Sequence, residues 1–231
     1  MATIYKLHSE TPQARSIEQI ALALQGGAVM LYPTDTVYAI GCDLNSKSAV
    51  QRVRQIKQLS NNKPLTFLCS SLSSIAHYAQ VSNSNYRMMK SMVPGPYTFI
   101  LPTTKLVPKL VMDPKRKTTG IRVPDSVVCQ ALIQALSNPI ISTSANLGDR
   151  INDDDLDLEF SGVMNKRLKS AQACDLPQVE LFDHFDKLVD IIIDDGSEPQ
   201  CEVSTIVDLT GDRPEVIRQG LGSLEFMSLS V

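Results

Sequence analysis

The sequence predicts an α/β protein built on a mixed, open sheet flanked by helices. Two observations predict it. Amphipathic helical patterns alternate with short apolar strands through roughly the first 140 residues, and strands then cluster toward the C-terminus. Proline and glycine breaks such as Pro94-Gly95-Pro96 separate the segments.

The elements follow in order. Ser16 is positioned to cap a helix whose Ile17, Ile20, Ala21 and Leu24 share one face, and Gly26-Gly27 ends it. Gly26 to Tyr32 is an apolar run that reads as a buried strand stopped by Pro33. Lys47 to Leu59 is helical in pattern, with Ala49, Val50, Val53 and Ile56 inward and Arg52, Arg54 and Lys57 outward or sideways. Pro64 to Cys69 is a strand. Short helices follow near Ser73–Tyr78 and Asn85–Met92, then strands at Tyr97–Leu101 and Thr118–Val123. Ser126 to Leu136 has helical spacing, and Pro139-Ile140-Ile141 leads into Ser142-Thr143-Ser144-Ala145-Asn146. Residues 149–187 read as a surface excursion, acidic at first and then weakly helical around 162–173 and 177–187. Strands return at Leu188–Ile193, Ser204–Asp208 and Glu215–Arg218.

A chain of 231 residues, 43% apolar and 20% charged, has the composition of a globular protein able to bury a substantial core. One domain spanning 1–231 is expected. No apolar stretch is long enough to span a membrane, and the N-terminus shows no signal-peptide pattern, so a cytoplasmic location is expected. The five cysteines are odd in number and scattered without a CxxC, and the three histidines stand far apart. That pattern favours reduced thiols over a protein-held zinc site. The net charge of −3 argues against a nucleic-acid coat. Basic groups nonetheless gather at Arg52, Arg54, Lys57 and Lys63, and again from Lys105 through Lys117 to Arg122. They read either as solvated faces or as a positive concavity.

The densest polar stretch is Pro33-Thr34-Asp35-Thr36-Val37-Tyr38 at the end of the first buried strand, where open α/β sheets bind ligands. Its plainer reading is a turn in which Thr and Asp satisfy loose backbone groups. Other elements share its property of polar groups just past an apolar segment. They are Lys57 with Lys63-Pro64-Leu65, Arg122, Ser142-x-Ser144-x-Asn146, and Ser204-Thr205 with Arg218. Cations with hydroxyls and an amide suit a polyphosphate. Neither GxxxxGK[ST] nor GxGxxG occurs, and no GxSxG marks a serine nucleophile.

In their order these pieces resemble the YrdC/YciO family, which includes the threonylcarbamoyl-AMP synthases. The matching segments are Tyr32 to Gly41, Lys57 seven residues before Pro64-Leu65, and Pro94-Gly95-Pro96-Tyr97-Thr98. Gly120-Ile121-Arg122-Val123-Pro124, Ser142 to Asn146, Ser204 to Asp208 and Arg218-Gln219-Gly220 complete the set. Relative to the family, about 150–176 is an insertion.

The resemblance implies a twisted sheet with a concave basic face. It also implies an activity: ATP, threonine and bicarbonate give threonylcarbamoyl-AMP and pyrophosphate, which feeds modification of tRNA. Mg²⁺ comes with the ATP. By the same resemblance Lys57 meets the phosphates; Lys63, in the same basic group, is a candidate to substitute for the family arginine missing at Leu59. Ser144 and Asn146 bind nucleotide with Ser142 nearby. Thr34, Thr36 and Tyr38 line the threonine and adenylate pocket, and Arg122, Ser204 and Arg218 complete the anionic site. Two positions depart from the synthases: Leu59 stands where they carry an arginine, and Leu68 where many carry a histidine. Both point to the YciO-like branch. A tRNA- or double-stranded-RNA-binding protein without catalysis is the alternative. The oligomeric state stays open.

Overall fold

The computed structural model describes residues 1–59, 65–145 and 177–225. Among these residues ten strands form one sheet: β1 (Thr3–Lys6), β2 (Val29–Tyr32), β3 (Ala39–Asp43), β4 (Thr66–Leu68), β5 (Tyr97–Pro102), β6 (Thr118–Arg122), β7 (Ile140–Ser144), β8 (Ile191–Asp194), β9 (Thr205–Asp208) and β10 (Glu215–Arg218). Their spatial order is β1-β8-β2-β3-β7-β4-β6-β5-β9-β10. Pairing is parallel for β1 with β8, β2 with β8, β4 with β6 and β5 with β9, and antiparallel elsewhere. The expected mixed open α/β sheet is therefore what forms.

Helices cover both faces. Four of them, α2 (Lys47–Ile56), α3 (Leu72–Tyr78), α4 (Asn83–Lys90) and α6 (Gln178–Phe185), pack on one face. Their Val50, Val53, Ile75, Met89, Leu181 and Phe185 meet Val29, Leu31, Phe67, Phe99, Ile121 and Ile141 of the sheet. On the other face α1 (Ala14–Gln25) and α5 (Val127–Leu136) pack over Met30, Tyr32, Ala39, Leu68 and Ile140. Strand alternation divides the residues: Phe67 and Ile141 point to the first core, Leu68 and Ile140 to the second.

Alternation also builds the site. On the two-helix face the side chains turn polar one step further along each strand: Leu68 gives way to Thr66, and Ile140 to Ser142 and Ser144. Gly120 and Arg122 lie on the same face of β6, because Ile121 between them belongs to the other core. This polar ground lies beside the apolar surface that α1 and α5 cover.

Several expectations shift. Ser16 does not cap α1, which starts at Ala14 with Gln13 as its cap. Ser46, Ser71, Ser82 and Ser126 do cap helices, each accepting from the backbone N–H three residues on. Strands β1 and β3 form where the sequence predicts none. Arg54 and Lys57 are buried rather than outward. Arg54 donates from Nε (3.0 Å) and Nη2 (2.6 Å) to the Leu110 carbonyl, which satisfies a guanidinium whose pKa burial lowers. Cys42, Cys69 and Cys129 are buried free thiols, whereas Cys201 is disulfide-bonded, so the expectation of reduced thiols does not hold there. The 150–176 segment lies outside the described residues. No helix among those residues is long and apolar enough to cross a membrane.

Candidate functional site

The loop from β2 to β3 carries Thr34, Asp35 and Thr36. Thr34 Oγ1 accepts from the Thr36 N–H (3.1 Å) and donates to the Val37 carbonyl (2.8 Å), so the turn is self-bonded as the plainer reading of its sequence holds. The turn also grips Arg122 at the end of β6. Arg122 Nη1 donates to Thr36 Oγ1 at 2.8 Å, and Nη2 donates to Asp35 Oδ1 at 2.6 Å. This ion pair is buried, with side chains 7% and 10% exposed. Each partner keeps one buried polar atom, Arg122 Nε and Asp35 Oδ2, with no hydrogen-bond partner among the described residues.

Beside this pair opens a cavity of about 260 Å³. Thr34, Thr36, Arg122, Ser142, Ser144, Ser204 and Arg218 all line it. Seven residues spread from 34 to 218 meet because β3, β7, β4, β6, β5 and β9 are neighbours. Their register fixes the floor: Ser144 lies opposite Ala39, Ser142 opposite Thr66, and Thr66 opposite Gly120. Ser142 Oγ accepts from the fully buried Tyr32 hydroxyl at 2.7 Å. Burial holds that phenol protonated by raising its pKa well above the ordinary value.

Ser204 Oγ lies 2.9 Å from Thr98 Oγ1, and Arg218 Nη2 donates to the Ser204 carbonyl at 2.9 Å. The chain after β10 folds back on this point. Leu221 N–H donates to the Val203 carbonyl (2.9 Å) and Gly220 N–H to Thr205 Oγ1 (3.0 Å), tying Arg218 to the start of β9.

Other expected residues fall elsewhere. Tyr38 is buried outside the cavity lining. Its hydroxyl accepts from Gln178 Nε2 at 3.1 Å, and its ring stands edge-on to Phe182 with centroids 5.9 Å apart. Lys57 is the C-cap residue of α2, 5% exposed, and does not line the cavity, whereas Leu59 two residues on does. Lys63 and Asn146 lie outside the described residues. Sequence reasoning assigned no role to Thr66 and Thr98, which both line the cavity. Their only signal is a hydroxyl at the entrance of an apolar strand. Among the described residues, no group of three or more His, Cys, Asp and Glu side chains comes together to hold a metal.

The cavity can thus offer two guanidiniums, one of them already half-neutralised by Asp35, to an anion edged by hydroxyl groups. Its apolar share is Val37, Ala39, Leu59, Leu68, Val203 and Ile206.

The Sua5/YciO/YrdC family profile, described as Telomere recombination, matches residues 22–172. The chain belongs to this family. The uncharacterized protein YciO of Escherichia coli is 37% identical over 226 residues, 97% of this chain and 98% of its own. The YciO crystal structure superposes with a TM-score of 0.81 over 98% of this chain and 99% of that one. Among Sua5/YciO/YrdC relatives, the Homo sapiens threonylcarbamoyl-AMP synthase is 30% identical over 192 residues, covering 81% of this chain and 60% of the synthase. The P. abyssi Sua5 structure complexed with L-threonine shares the fold, with a TM-score of 0.80 at 24% identity over 99% of this chain and 60% of that one. Family membership thus makes the chain a homologue of threonylcarbamoyl-AMP synthases.

Proposed function

We propose that this protein forms threonylcarbamoyl-AMP and pyrophosphate from ATP, L-threonine and bicarbonate. The observation that carries the reading is the convergence of Arg122, Arg218 and the hydroxyls of Thr34, Thr36, Ser142, Ser144 and Ser204 on one cavity. Homology to synthases of that name supplies the substrate class.

The reaction needs no protein nucleophile. The threonine amine and bicarbonate give a carbamate with loss of water. A carbamate oxygen attacks the α-phosphorus of ATP, the bond to the bridging oxygen breaks, and pyrophosphate leaves with its electron pair. The protein's task is to hold the partners in line and offset the developing charge. Arg122 and Arg218 supply positive charge, and the serine and threonine hydroxyls donate to phosphate and carboxylate oxygens. Lys57, Lys63 and Asn146 are proposed to reach the phosphates and nucleotide, and Tyr38 to back the threonine side. Mg²⁺ enters with the ATP as part of the substrate.

Leu59 lines the cavity where an arginine fork would grip phosphate or carboxylate. A charge-assisted contact is worth on the order of 1.5–3 kcal/mol, so its lack slows turnover by about tenfold or more. The test is pyrophosphate release with ATP, Mg²⁺, bicarbonate and threonine. The wild type is expected to show slow, threonine-dependent release and Leu59→Arg a faster one. Silence in both overturns the reading.

A second reading is RNA binding without catalysis. It is favoured by Lys105, Lys109, Lys115, Arg116 and Lys117, all exposed on the segment between β5 and β6, although Arg116 Nη2 is tied to Asp208 at 2.7 Å. Titration with tRNA and with double-stranded RNA at several salt concentrations decides it, a flat response eliminating RNA.

A further inference from the structure

Two glycines lie inside strands: Gly41 in β3 and Gly120 in β6. Glycine in a strand interior weakens the strand and marks a bulge, a bend or a close approach. Neither residue has positive φ, and the register runs without a shift through both strands. Backbone conformation therefore demands glycine at neither position. Packing accounts for Gly41. A Cβ there would lie 2.7 Å from the Tyr32 ring and 2.8 Å from the Ile141 carbonyl oxygen.

Gly120 differs. A Cβ there would meet the ends of two threonines on the adjacent strands, Thr66 Oγ1 at 3.1 Å and Thr98 Cγ2 at 3.2 Å. Both threonines line the cavity. β6 is an interior strand whose Thr119 and Ile121 are buried on the opposite face, yet Gly120 is partly exposed. The third of its three nearest heavy atoms, the Thr66 Cα, lies at 3.8 Å, an ordinary contact.

The atoms that crowd this position are thus the side-chain ends of two cavity-lining residues, not backbone as at Gly41. We propose that Gly120 is a specificity-determining position. Its missing side chain leaves a seat one atom deep, where a carboxylate or carbamate oxygen of the substrate lies against the β6 backbone. Thr66 turns its hydroxyl toward the seat, in place to donate to such an oxygen. Thr98 turns its methyl toward it and commits its hydroxyl to Ser204. Arg122, next along the same face, brings positive charge and favours an anionic occupant. An alanine methyl at Gly120 would take the place of that oxygen. The ligand class rests on the function proposed above; the seat itself rests on geometry.

The test is calorimetric titration of wild type, Gly120→Ala and Thr66→Val with L-threonine, with L-threonine plus bicarbonate, and with ATP and Mg²⁺. Gly120→Ala is expected to melt close to wild type, because both crowding atoms are side-chain ends, and to keep its ATP affinity. Its threonine affinity is expected to fall by about tenfold or more. Thr66→Val, which keeps the width of the seat but not its donor, should show a smaller loss. A loss with threonine alone assigns the seat to the carboxylate, and a loss only with bicarbonate present assigns it to the carbamate. Unchanged threonine affinity in Gly120→Ala overturns the proposal. So does equal loss of ATP, or a wild type that binds no threonine under either condition. Absent pyrophosphate release with Gly120-dependent threonine binding would instead overturn the synthase reading alone.

Discussion

Arg122 shows how much of the site depends on single contacts. Its two terminal nitrogens are spent on Thr36 and Asp35, so the guanidinium is fixed before any ligand arrives. Removing one partner of a buried ion pair leaves the other charge uncompensated. Asp35→Ala is expected to cost about 3 kcal/mol in urea denaturation, whereas Asp35→Asn, which keeps an acceptor for Nη2, should cost less. The thiols make a separate prediction. Burial pushes Cys42, Cys69 and Cys129 each up to about 12, so all three stay protonated in the folded chain at pH values where unfolded thiols ionise. The folded state then holds more protons than the unfolded one, and stability falls as pH rises from roughly 8.5, the ordinary thiol value, toward 12. Urea midpoints measured at rising alkaline pH check this, and Cys42, Cys69 and Cys129 should alkylate slowly in the folded protein.

Among the elements, α5 ends on Ser137, which takes a left-handed conformation (φ 58°) that favours glycine. Ser137→Gly is expected to raise stability by about 1 kcal/mol, read as a higher urea midpoint at unchanged slope. The helices were legible because their apolar spacing is a local signal, whereas the one serine cap expected, Ser16, does not form. Strand β3 was not. Ala39-Ile40-Gly41-Cys42-Asp43 is short, has glycine at its centre and follows a polar turn, and it is a strand because β2 and β7 pair with it on either side. The site divides the same way. Thr34, Thr36, Arg122, Ser142, Ser144, Ser204 and Arg218 stand in recognisable clusters, and all reach the cavity. Thr66, Thr98 and Gly120 were assigned no role, although Thr98 and Gly120 stand in segments that match the family, because their places at the cavity come from strand order rather than sequence order. Lys57 carries a signal the geometry does not support directly: at the end of α2 it is buried and stands outside the cavity lining.

Across the molecule, the sheet interleaves distant parts of the chain. β8 inserts between β1 and β2, and β9 pairs in parallel with β5. A chain ending at residue 203 would lack β9 and β10 and leave β5 as an open edge. It is expected to associate into higher species on size-exclusion chromatography, where the full chain elutes as a defined species. The order of the strands also sets a timetable. Ser204 and Arg218 emerge from the ribosome long after the Thr34–Thr36 turn, and the cavity has no rim on that side until they do. A nascent chain therefore has an incomplete cavity until residue 218 has been made, and the early strands form without it. The cavity is completed only when β9 and β10 close onto β5.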